Sequence, residues 1–134
     1  MAIRFLLSFL CYAFFINTLK QTVMEKTLNR VELKGRVGAD PKISQMEGGV
    51  SIIRFSVATH EAYKGKDGLY KEETTWHNVA AWSSRNIPDF SKIRKGVFVD
   101  LIGKLRYYKY VTKNGEERFS SEIVALKMSL PENC

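Results

Sequence analysis

Eight residues, Thr75 to Trp82, constrain this chain more than any other stretch: Thr-Trp-His-Asn-Val-Ala-Ala-Trp. As a β-strand, its two-residue period puts Trp76, Asn78, Ala80 and Trp82 on one face and Thr75, His77, Val79 and Ala81 on the other. Two indoles then share a face with only Asn78 and Ala80 between them, which leaves flat rings accessible to an unpaired base. The same pair taken alone fits a hydrophobic core better. Its neighbours in the chain decide.

Upstream, Asn29 to Gly38 alternates Val31, Leu33, Gly35 and Val37 with Arg30, Glu32, Lys34 and Arg36, the pattern of a half-buried strand. Pro41 lacks a ladder donor and Asp40 favours a turn, so the strand breaks at Gly38-Ala-Asp-Pro41, and Gly48-Gly49 is a second break. A longer strand over Val50 to Tyr63 carries Ile53, Phe55 and Val57 on one side and Arg54, Ser56 and Ala58 on the other. It leads into the loop Lys64-Gly-Lys-Asp-Gly68. With Tyr63 at its base and Lys64, Lys66 and Lys71 around it, the loop has the composition of a phosphate-contacting arm.

Downstream, Ser83 to Lys95 reads as a short helix that plugs the sheet: Pro88 suits a first turn, Ile87, Phe90 and Ile93 are three apart, and Gly96 follows. Val97 to Leu105 alternates again, with Gly103 marking a bend or a close approach of backbones. The strand runs on to Asn114-Gly115, the dipeptide of a two-residue hairpin with positive φ at both central positions, and returns over Glu117 to Met128. Period two groups Arg106, Tyr108 and Tyr110 on the outgoing arm, with Lys104 below them, as a basic and aromatic face. Five strands with one short helix between the third and fourth define an all-β OB-fold, a partly open Greek-key barrel.

The chain length allows one domain, over residues 24–128. Before it, residues 1–23 hold an apolar run from Phe5 to Ile16, short for a bilayer span and of signal-segment length, without a clear small-residue cleavage site. Translation beginning at Met24 is the expectation; an exported or tethered form and a cytoplasmic extension stay open. Leaving out Arg4 and Lys20 with this segment lowers the formal charge only from +7 to +5, so the basic character belongs to the domain and suggests an anionic partner. Cys11 and Cys134 stand at opposite ends of the chain without the spacing of a metal site.

Five segments, in this order and spacing, resemble the bacterial single-stranded DNA-binding protein family: Asn29 to Pro41, Ala58 to Tyr63, Thr75 to Val79, Arg94 to Gly96 and Gly103 to Arg106. The resemblance implies base-stacking aromatics at Tyr63, Trp76, Trp82 and Tyr110. It implies phosphate contacts at Lys66, Lys95 and Lys109, to which composition adds Lys64, Lys71 and Arg106. Asn78, Ser84 and Tyr108 stand where relatives carry a basic residue, and Arg85, beside Ser84, is the expected substitute. Also implied are a homotetramer, with His77 at an interface or in the core, and a cytoplasmic, nucleoid-associated role in replication, recombination and repair.

Residues 129–134 lack the acidic tip that such proteins use to recruit enzymes, so weak recruitment of repair enzymes is expected. No cofactor or metal is expected. An enzyme would need paired carboxylates or a metal cluster, and Asp40, Asp67, Asp100 and Glu122 fall on separate turns and strands. A sugar- or protein-binding exported barrel rests on residues 1–23 alone. A dimeric or monomeric single-strand binder shares the chemistry and differs in oligomer mass.

Overall fold

A computed structural model describes residues 25–131. The expectations for residues 1–23, and for the part of 129–134 that follows Pro131, lie outside that range. Six strands follow one another: β1 (Val31–Val37), β2 (Lys42–Gln45), β3 (Ser51–Lys64), β4 (Tyr70–Trp82), β5 (Phe98–Val111) and β6 (Glu117–Ser129). Five close on themselves: β1 pairs with β5, β5 with β6, β6 with β4, β4 with β3, and β3 returns to β1 through Arg36↔Ala58 and Val37↔Val57. All these ladders are antiparallel except β4–β6, which is parallel over Val79↔Ile123 to Ala81↔Ala125. This is the closed all-β barrel expected of an OB-fold.

Alternation explains the core. The inward set Ile53, Phe55, Val57, Val79, Ala81, Val99, Leu101, Ile123 and Ala125 is buried. Burying a side chain of the Val, Leu, Ile or Phe size contributes roughly 1.5–3 kcal/mol. Gly103 lets two strands approach, since a β-carbon there would meet Val124 O at 2.2 Å, next to the register shift between Ile102 and Gly103. Asn29 extends the β1 edge: its side-chain amide donates to Leu105 O at 2.7 Å, and its amide oxygen accepts from Leu105 N at 2.9 Å.

Three local features differ from the sequence expectation. The segment Ser83 to Lys95 is not a helix but an irregular connection with one 3₁₀ turn at Phe90–Lys92. Asp89 is extended (φ −53°, ψ 132°) and caps the turn by accepting from Ser91 N at 3.0 Å. The three-residue spacing of Ile87, Phe90 and Ile93 matches a 3₁₀ period better than 3.6. Ile87 and Ile93 are nonetheless buried in the core, with Phe90 packed against it, so the plug is made by side chains and not by a helix.

The second difference is β2. It pairs with the β3 edge from Lys42↔Arg54 to Gln45↔Ser51, and all its residues are exposed. A strand held by backbone bonds alone leaves no hydrophobic period to detect.

The third is the β5–β6 turn. Thr112 N donates to Glu116 O at 2.9 Å and Gly115 N to Thr112 O at 3.0 Å, which leaves the three residues Lys113-Asn114-Gly115 in the loop. Only Gly115 has positive φ (79°), the pattern of a type I turn closed by a left-handed glycine. The β3–β4 hairpin repeats it: Gly65 N donates to Leu69 O, Gly68 N to Gly65 O, and Gly68 has φ 81°. Both hairpins thus end in the same kind of turn, each led by a lysine, Lys66 or Lys113.

Candidate nucleic-acid interface

The outer face of the barrel is a four-strand surface. One row crosses it through Arg54 (β3), Ala80 (β4), Val124 (β6) and Lys104 (β5), fixed by the pairs Arg54↔Ala80, Ala80↔Val124 and Lys104↔Val124. Two-residue steps along each strand add Ser56 and Ala58; Trp76, Asn78 and Trp82; Ser120 and Glu122; and Arg106, Tyr108 and Tyr110. Val79 and Ala81 point into the core, while on the outer face Ala58, Ala80 and Val124 are covered and Trp76 and Trp82 are 61% and 40% exposed. The two indoles are on the surface of the barrel, not in its core.

At the centre lies the buried carboxylate Glu122, 5% exposed. It accepts from Arg106 and is 3.7 Å from Arg54 Nε, and both guanidinium side chains remain about half exposed. The carboxylate, on β6, thus joins a cation from β3 with one from β5. Arg106 also lies 5.8 Å from the Tyr108 ring centroid, and the Tyr108 and Tyr110 rings are 6.2 Å apart at 45°. A cleft of about 150 Å³, lined by residues that include Trp76, Asn78, Ser121 and Glu122, separates β4 from β6 where their short parallel ladder has not yet begun.

Tyr63 is placed differently. The β3–β4 ladder is unbroken from Ile52↔Trp82 to Lys64↔Tyr70, so pleat parity puts Tyr63 and its partner Lys71 on the face of the ribbon opposite Trp76. Tyr63 is 48% exposed. Lys64 and Lys66 stand at the tip, where one face passes into the other.

His77 is half-buried on the Tyr63 side, its Nε2 2.9 Å from Thr59 Oγ1. His60, on the Trp76 side, is 2.9 Å from Thr74 Oγ1 and 3.6 Å from Glu72. Lys109 has the parity opposite to Tyr108 and Tyr110, and its ammonium is 2.7 Å from Glu117. Exposed Arg85 and Lys95 sit on the connection between β4 and β5, where Lys95 N donates to Asp40 at 3.4 Å.

The structure adds residues that the sequence reading did not single out for binding. Arg54 was visible as a cation on the outer side of β3, but its partner Glu122 lies 68 positions away in the chain, and only the barrel joins them. Tyr70, Tyr107 and Phe119 are 80%, 71% and 75% exposed on the two arms.

The closed strand order defines an OB-fold, here with surface aromatics among cations, and comparison with known proteins narrows it to a family. Residues 28–131 match the Single-strand binding protein family, and the chain belongs to that family. The single-stranded DNA-binding protein of Xylella fastidiosa is 36% identical over 107 residues, covering 80% of this chain and 65% of that protein. The mitochondrial single-stranded DNA-binding protein of Pongo abelii is 35% identical over 116 residues, covering 81% and 78%. Among solved structures, the Plasmodium falciparum SSB in complex with ssDNA superposes with a TM-score of 0.69 at 32% identity, covering 78% of this chain and 94% of that one. The chain spans about 65% or less of the length of several bacterial relatives it matches.

Proposed function

We propose that this protein binds single-stranded DNA without sequence preference and protects it during replication, recombination and repair. The observation that carries the reading is the exposed pair Trp76 and Trp82 on one sheet face, beside the half-exposed guanidinium groups of Arg54 and Arg106. Bases stack on Trp76, Trp82 and Tyr110, and on Tyr63 after the strand rounds the tip of the β3–β4 arm past Lys64 and Lys66. Lys71, Arg85, Lys95, Arg106 and Lys109 add backbone contacts. Each stack contributes roughly 1–3 kcal/mol and tolerates any base, because every base has a π-face. Duplex hides those faces, so stacking selects single strands. No catalytic step is part of this role.

The assembly proposed is a homotetramer, with His77 near an interface, acting on the nucleoid in the cytoplasm. Family membership supports the tetramer, and measured mass in solution tests it: a monomer or dimer overturns it.

The binding test is a titration of dT oligomers followed by tryptophan fluorescence, at two salt concentrations and with a duplex control. Quenching by single strands alone, reduced in Trp76→Ala and in Trp82→Ala, is expected. The apparent log affinity falls with log salt by about 0.7 per neutralised phosphate. Equal response to duplex, or unchanged affinity in both variants, overturns the reading.

A further inference from the structure

A chain needs glycine at a position either because the backbone enters the left-handed region or because a neighbour occupies the space of a β-carbon. Gly38, one residue past β1, is not among the positive-φ glycines. Its reason is space. A β-carbon there would stand 2.1 Å from Cζ3 and 2.9 Å from Cη2 of Trp76, and 3.0 Å from Ser56 Oγ. The benzo edge of the indole therefore lies against the bare α-carbon of Gly38. The backbone beneath it is tied down, because Gly38 N donates to Ser56 O at 2.9 Å on the strand that pairs with β4.

We infer that Gly38 is a positioning residue for single-strand binding: it seats the Trp76 indole against the sheet and leaves the rest of the ring open to a base. The inference deepens the proposed function and rests on it. A methyl group at position 38 has to displace something. The strand backbone is held by its ladder, whereas the indole is 61% exposed and has room to swing away from the sheet. Once tipped, the ring no longer lines up with Trp82 along β4, and the base stacked on it is lost. Nothing in the Gly38 backbone conformation itself forbids alanine.

The test introduces Gly38→Ala into three backgrounds: the native chain, Trp76→Phe, whose single ring does not reach as far as Cζ3 and Cη2, and Trp76→Ala. Affinity for a labelled dT oligomer is read by anisotropy. The indole is read by its emission in a Trp82→Phe background, where Trp76 is the sole tryptophan. In the native chain, Gly38→Ala weakens binding about fivefold or more, the scale of one lost stack, and shifts Trp76 emission to the red. In both Trp76 backgrounds it adds less than about twofold, within the usual limit of additivity. Folding only in the two backgrounds that lack the indole also supports the seat. Full affinity with unchanged emission overturns it, as does an equal loss, or unfolding, in all three backgrounds. If Trp76→Ala by itself leaves affinity intact, Trp76 carries no stack and the seat is overturned, and if Trp82→Ala does so too, the proposed function fails with it.

Discussion

The same four long strands build two unlike regions, a closed barrel and two open arms. In β3, residues 52–58 include the buried Ile52, Ile53, Phe55, Val57 and Ala58, and residues 60–64 are all exposed; β5 changes in the same way after Gly103. Hydrogen-bond pairing continues without a break from barrel to arm in β3–β4. The difference therefore lies in what covers the side chains. In the barrel, ladder bonds act together with apolar burial. In the arms they act almost alone, and the aromatics that burial would have used stay exposed. Burial is thereby concentrated in the barrel half of the strands, while exposed aromatics lie both on its outer face, at Trp76 and Trp82, and along the arms.

The sharpest way to break that division is Leu101→Ala, which empties a fully buried position of the barrel. It is expected to cost about 2–5 kcal/mol of stability, read by chemical denaturation, with any loss of DNA affinity confined to conditions where the chain unfolds. The converse change, Tyr110→Ala, removes an exposed ring from the β5 arm. It should weaken binding by roughly 1–3 kcal/mol in a dT titration and leave the unfolding midpoint where it was. An equal drop in stability would show the arms to be part of the cooperative core.

Gly115→Ala tests the arm's own integrity. At φ 79°, a β-carbon costs roughly 1–2 kcal/mol, and hydrogen exchange should quicken near Val111 and Glu117 while Leu101 stays protected.

The smallest effect concerns the plug. The backbone N–H of Ser91, and then its hydroxyl, hold the Asp89 carboxyl below its usual value. A depressed folded-state pKa means that the cap stabilises above the unfolded-state pKa, near 3.9 for Asp, and that this contribution is lost as pH falls through the lower folded value. Native protein should melt slightly above Asp89→Ala at neutral pH, and the gap should close in acid.

The barrel was legible because its strands alternate: Val31 to Val37, Ile53 to Val57, Val79 with Ala81, and Val99 to Leu105 all turned the faces that the two-residue period assigned. The Gly48-Gly49 break and the β5–β6 hairpin were legible from turn chemistry. β2 was not, since Lys42-Ile-Ser-Gln45 pairs through its backbone and buries nothing. The supposed helix over Ser83 to Lys95 misled because apolar residues three apart serve an irregular plug as well as a helix. Within the candidate site, the shared face of Trp76 and Trp82 was legible within one strand. The Arg54–Glu122–Arg106 cluster was not, because it joins three strands.

Sequence alone determined the local alternation: which side chains of each strand share a face, where the chain turns, and that flat rings recur among lysines and arginines. These follow from backbone geometry with a period of two residues. Tertiary structure decided what each face meets. It closed the barrel over one face of β4 and left Trp76 and Trp82 exposed on the other, buried Glu122 between two arginines, set Tyr63 across the ribbon from Trp76, and laid the Trp76 ring on Gly38. Those relations depend on strand partners tens of residues apart in the chain, and backbone periodicity carries no information about a partner.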